Sequence, residues 1–105
     1  MKTKYYVKNE KGDMVLVRTS ANDYRYALVD KKDINDGKKG IYCCSCNYDN
    51  VLKQYNYYKK IYSSNAESWK KPTLIERYTQ EEIDKHIKGC QNAYDNLEIV
   101  ELIKG

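Results

Sequence analysis

Residues 41–62, IYCCSCNYDNVLKQYNYYKKIY, change their periodicity part-way along, and that change decides the fold class. Ile41-Tyr42-Cys43-Cys44-Ser45 is a short β-prone run and reads as a strand. Beyond it, Val51, Leu52, Tyr55, Tyr58, Ile61 and Tyr62 recur at three- and four-residue intervals, the signature of one buried helix face. Asn47 is placed to cap that helix, and Asp49 puts a carboxylate at its positive end. Ser63-Ser64-Asn65 is expected to end it. A strand that passes directly into a helix, in a short chain, points to an α+β protein.

Toward the N-terminus the pattern is of strands. Lys4–Lys8 and Met14–Arg18 flank the turn residues Asn9-Glu10-Lys11-Gly12, a hairpin signal. Tyr24–Val29 reads as a third strand, and a Lys/Asp/Gly-rich loop covers 30–40. Toward the C-terminus, Trp69 and Pro72 fall in a loop, with a short extended piece expected over 73–78. Thr79-Gln80-Glu81-Glu82 fits a capping box, and Ile83, Ile87, Cys90 and Tyr94 line one face of the helix that follows. Leu97–Ile103, LEIVELI, is a last strand that can return to the others. The expected architecture is one domain, residues 1–105, with an antiparallel meander of about five strands and two helices packed on one face.

The composition bounds function. The chain has 105 residues and a net charge of +4, with twelve Tyr, one Trp and no Phe. Mean hydropathy is −0.91, yet the apolar residues fall in periodic segments, which separates this chain from disordered ones. Sixteen Lys against three Arg is not the dense Arg-rich stripe of a dedicated nucleic-acid binder, and a basic balance excludes a DNA mimic. No stretch has the length of a membrane span, and the first residues carry no apolar signal core. A cytoplasmic protein without membrane contact is expected, its cysteines reduced.

Cysteine spacing raises one chemical alternative. Cys43 and Cys46 form C-x-x-C, His86 and Cys90 form H-x-x-x-C, and together they could complete a zinc tetrahedron. The two pairs are 39 residues apart, however, the first lies on a strand, and Cys90 already fits a buried helix face. Free thiols and no cofactor are the adopted reading. A thioredoxin-like use of Cys43 and Cys46 lacks the βαβ order it needs. Nothing orients the single His toward a thiol, and no phosphate loop or H-E-x-x-H pattern occurs. No catalytic residue is assigned.

The surface candidates are aromatic and basic. With Val51, Tyr55, Tyr58 and Tyr62 turned inward, Tyr57 points elsewhere, beside Lys53 and Lys60. Trp69, Lys70 and Lys71 form a second group in the following loop. Tyr and Trp flanked by Lys can fill pockets on a protein or stack on bases. The plainer alternative is a solvated helix face with Tyr at its margins.

The segments RTSANDYRYALV (18–29) and IYCCSCNYDNVLKQYNYYKK (41–60) resemble small accessory proteins of bacteriophages and mobile elements, among them anti-CRISPRs. That resemblance implies a stoichiometric inhibitor that binds a host protein or ribonucleoprotein, and it carries no functional residue over. The expected contacts are Lys53, Tyr57, Lys60, Trp69, Lys70 and Lys71. A mildly basic nucleic-acid-binding module, zinc-stabilised through Cys43, Cys46, His86 and Cys90, is the alternative.

Overall fold

The structure is a computed structural model describing residues 2–105. Its elements run β1 (Thr3–Lys8), β2 (Met14–Ser20), β3 (Tyr26–Asp30), α1 (Lys31–Asn35), β4 (Ile41–Ser45), α2 (Tyr48–Ser68), a 3-10 helix (Pro72–Glu76), α3 (Gln80–Asn96), β5 (Leu97–Glu101) and β6 (Ile103–Lys104). The chain is α+β, as expected. It divides into two compact units, one holding the residues up to Tyr55 with Asn96–Gly105, the other Asn56–Asp95.

The first unit corrects the single meander. Six strands form two antiparallel three-stranded sheets, in the orders β2-β1-β6 and β4-β3-β5. The reason lies in the last run, LEIVELI. Its first part pairs with β3, Leu28 opposite Ile99, and its second pairs with β1, Tyr6 opposite Ile103. Between them Leu102 leaves both ladders, and its N–H bonds the Arg25 carbonyl at 2.8 Å. The C-terminal run thus joins the β1–β2 and β3–β4 hairpins, and β2 does not pair with β3 as a meander requires.

Alternation along these strands builds the core. Tyr5 and Val7 from β1, Val15 and Val17 from β2, and Ala27 and Val29 from β3 cluster with Ile34 of α1. Val15 and Val17, two residues apart on β2, both face inward, and the β1–β2 register shifts between Tyr5 and Tyr6. In β3, Ala27, Leu28 and Val29 are all buried, so this strand is covered on both faces. Helix α1 occupies part of the expected 30–40 loop. The Asp30 carboxylate caps it by accepting the Asp33 N–H at 3.1 Å, and Ile34 anchors it. Buried Asn9 ties the first hairpin to α1: its Oδ1 accepts from the Lys11 and Asp13 amides at 3.0 and 2.9 Å, and its Nδ2 donates to the Ile34 carbonyl at 3.2 Å.

The second unit pairs the later turns of α2 with α3. Two surface depressions run between them, and Tyr62 and Cys90 line both. Helix α2 continues past Ser63-Ser64-Asn65 to Ser68, because Ala66 is buried there and extends the apolar face by one turn. Pro72 opens a 3-10 helix where an extended piece was expected, consistent with its place at N1. The capping box forms as the sequence predicts. Thr79 Oγ1 accepts the Glu82 N–H at 3.1 Å, and Glu82 Oε1 accepts the Thr79 N–H at 3.4 Å.

Candidate interaction surface

Helix α2 sorts its side chains as the spacing predicts. Val51 is fully buried, while Tyr55, Tyr58 and Tyr62 are half-buried. Lys53, in the first unit, is exposed, as are Tyr57 and Lys60 in the second. Tyr57 is 58% exposed, the highest value among the large hydrophobic side chains of the described residues. Its ring is nonetheless braced, lying edge-on to Tyr58 at 5.6 Å, and Tyr58 in turn stacks on Tyr62 at 6.2 Å. A braced, exposed tyrosine presents a large contact area with little side-chain entropy left to lose on binding. Lys59, by contrast, is turned within the unit: its ammonium donates to the Tyr94 carbonyl at 2.6 Å and lies 3.9 Å from the Tyr94 ring centroid.

Trp69 lies in the turn between α2 and the 3-10 helix, a loop position as expected. It is half-buried, its indole stacked flat on the His86 imidazole at 4.0 Å and edge-on to Tyr78 at 5.0 Å. These contacts use the ring to hold the connector against α3, and only part of the indole remains for a partner. Lys70 and Lys71 are exposed, and Lys70 pairs with Glu67 at 3.0 Å. Trp69, Lys70, Lys71 and Ile75 border a shallow depression floored by Ile83 and Ile87. Ile75 is exposed and was not singled out from the sequence; its isolation between Leu74 and Glu76 gave no periodic signal. Tyr57 lies eleven residues before the end of α2, about 16 Å along the axis. Within the second unit, Tyr57 is therefore set apart from the group at Trp69, Lys70 and Lys71.

Cys43, Cys44, Cys46 and Cys90 are free thiols. Among the described residues no group of three or more His, Cys, Asp or Glu side chains is placed to hold a metal ion. Cys43 and Cys46 belong to the first unit, His86 and Cys90 to the second. His86 is engaged by Trp69. Cys43 and Cys44 point to opposite faces of β4, Cys44 packing against the core. Burial pushes both thiols above their ordinary value, the Leu28 backbone hydrogen bond opposing it at Cys43 and the Arg18 guanidinium opposing it at Cys44. Raised thiols hold little thiolate at neutral pH and are poor nucleophiles. No described helix is long and apolar enough to cross a membrane.

Comparison of the chain with family models, with curated proteins and with solved structures finds no match.

Proposed function

We propose that this chain acts stoichiometrically, as a small phage-type protein that binds a host protein or ribonucleoprotein in the cytoplasm and inhibits a bacterial defence system of the CRISPR-Cas kind. The observation that carries the binding part of this reading is Tyr57, 58% exposed, braced by Tyr58, and followed by exposed Lys60 one turn on. Aromatic anchors with flanking steering charge are what a protein-directed inhibitor requires. The raised thiols of Cys43 and Cys44 weigh against a thiolate enzyme. Identification of the target class as a defence complex rests on resemblance and size.

The test is a pull-down of the tagged chain from bacterial lysate, with and without nuclease, read by mass spectrometry for protein and by gel for nucleic acid. A partner recovered in stoichiometric amount, and lost with Tyr57→Ala, supports the reading. Retention of that partner by Tyr57→Ala would remove this surface as its site. Recovery of nucleic acid alone would leave the binding-module alternative.

A further inference from the structure

The outward face of the β2-β1-β6 sheet carries a feature that the helical reading does not use. Burial alternates along β1, so Tyr5 and Val7 enter the core while Lys4, Tyr6 and Lys8 face outward. Cross-strand pairing puts Leu16 on one side of Tyr6 and Ile103 on the other. Leu16 is 43% and Ile103 39% exposed, and with Met14 (47%, opposite Lys8) they make an apolar surface around the ring. Tyr6 is half-buried, and one edge of its ring lies beside Gly105, where a side chain larger than hydrogen would meet it. Along the strand each lysine stands about 6.8 Å from Tyr6, two residues away on the same face. Neither lysine pairs with an acidic group among the described residues, and no acidic side chain lies on the outward side of these three strands.

We propose that this face binds single-stranded nucleic acid, a base stacking on Tyr6 within the apolar platform and flanking phosphates meeting Lys4 and Lys8. Three features select this occupant. An aromatic on the middle strand of an antiparallel sheet offers a base a flat surface without requiring sequence. Two lysines, each two residues along the strand from the ring and outside the ion pairs of the described residues, suit a repeating anion. Docking of a second copy through the same face would set Lys4 and Lys8 against their equivalents, which like-charge repulsion disfavours. The inference stands apart from the Tyr57 reading, and Tyr57→Ala is expected to leave it unchanged.

The experiment is a fluorescence-anisotropy titration of the full chain with labelled oligo(U) and oligo(dT) of about 12 nucleotides, within known single-domain site sizes. A duplex of equal length and poly-L-glutamate serve as controls. Binding to the single strands is expected to exceed binding to both controls. Two phosphate contacts predict a log–log salt slope of about −1.4. Lys4→Gln with Lys8→Gln, at exposed positions, should flatten that slope toward zero. Tyr6→Leu should weaken binding about 5- to 150-fold, the loss of one stacked base, while Tyr6→Phe retains it. A preference for oligo(U) over oligo(dT), or the reverse, identifies RNA or DNA as the source. Equal binding of poly-L-glutamate would assign the face to an acidic protein and overturn the proposal, as would a slope unchanged in the double lysine variant. The lysine variant decides the matter alone if Tyr6→Leu does not fold.

Discussion

The hydroxyl of Tyr5 accepts a hydrogen bond from the Tyr24 amide at 3.1 Å, and the two rings meet edge-on at 5.7 Å. The same hydroxyl donates to the Asn22 carbonyl at 2.8 Å. One fully buried side chain thus fills the core and satisfies two polar backbone groups of the loop between β2 and β3. Tyr5→Phe keeps the ring and orphans both. The expected loss is about 1–3 kcal/mol, read from urea denaturation. A change below about 0.5 kcal/mol would show that water replaces the hydroxyl there. At this position the absence of Phe from the chain has a structural reason.

Asn9 concentrates three hydrogen bonds in one buried side chain joining the first hairpin to α1. Asn9→Ala should cost about 2–3 kcal/mol, since two amides and a carbonyl lose their partners. Asn9→Asp keeps both acceptor bonds but sets a carboxylate against the Ile34 carbonyl, so it should not restore full stability. Thermal melting of the three proteins in parallel checks the order.

The capping box at Thr79 and Glu82 predicts a local effect. Thr79→Ala should remove about 1 kcal/mol, and hydrogen exchange should quicken in the first turn of α3 before it does elsewhere. Uniform quickening across the chain would contradict a local role.

Tyr57 and Trp69 should separate in their behaviour. Exposed Tyr57→Ala should leave stability within about 0.5 kcal/mol. Trp69→Ala loses its contacts with His86 and Tyr78 and should cost about 1–2 kcal/mol. Equal stability of both variants by denaturant titration would return Trp69 to the set of free anchors.

Cys43 and Cys44 predict a pH dependence. Their thiols are raised in the folded chain by burial, so the folded state holds its protons more firmly than the unfolded one. Their contribution is therefore complete below the unfolded thiol value, about pH 8.5, and is lost as pH rises through the higher folded values. Stability should fall on the alkaline side, and less so in Cys43→Ala/Cys44→Ala. At neutral pH, alkylation mapped by mass spectrometry should reach exposed Cys46 ahead of both. Fast labelling of Cys43 or Cys44 would reopen a thiol chemistry for β4.

The sequence by itself determined the features that depend on near neighbours. The first hairpin, the strand-to-helix change after Ser45, the buried face of α2 and the capping box of α3 are all written within a few residues, as periods of two or 3.6 and as caps. Of the candidate surface, the outward direction of Tyr57, Lys53 and Lys60 was legible in the same way. The outward Lys4-x-Tyr6-x-Lys8 alternation was also present in the strand pattern, but its meaning depended on what stands beside Tyr6. Only the tertiary structure decided that LEIVELI would split at Leu102 and bond two different strands. Periodicity fixes which side chains face inward, and not which distant strand supplies the hydrogen-bond partners. The pairing of Trp69 with His86, the tie from Asn9 to α1, and the platform of Leu16, Tyr6 and Ile103 are likewise contacts across long sequence separations. Each exists because burial and hydrogen bonding are satisfied in three dimensions, which no local pattern records.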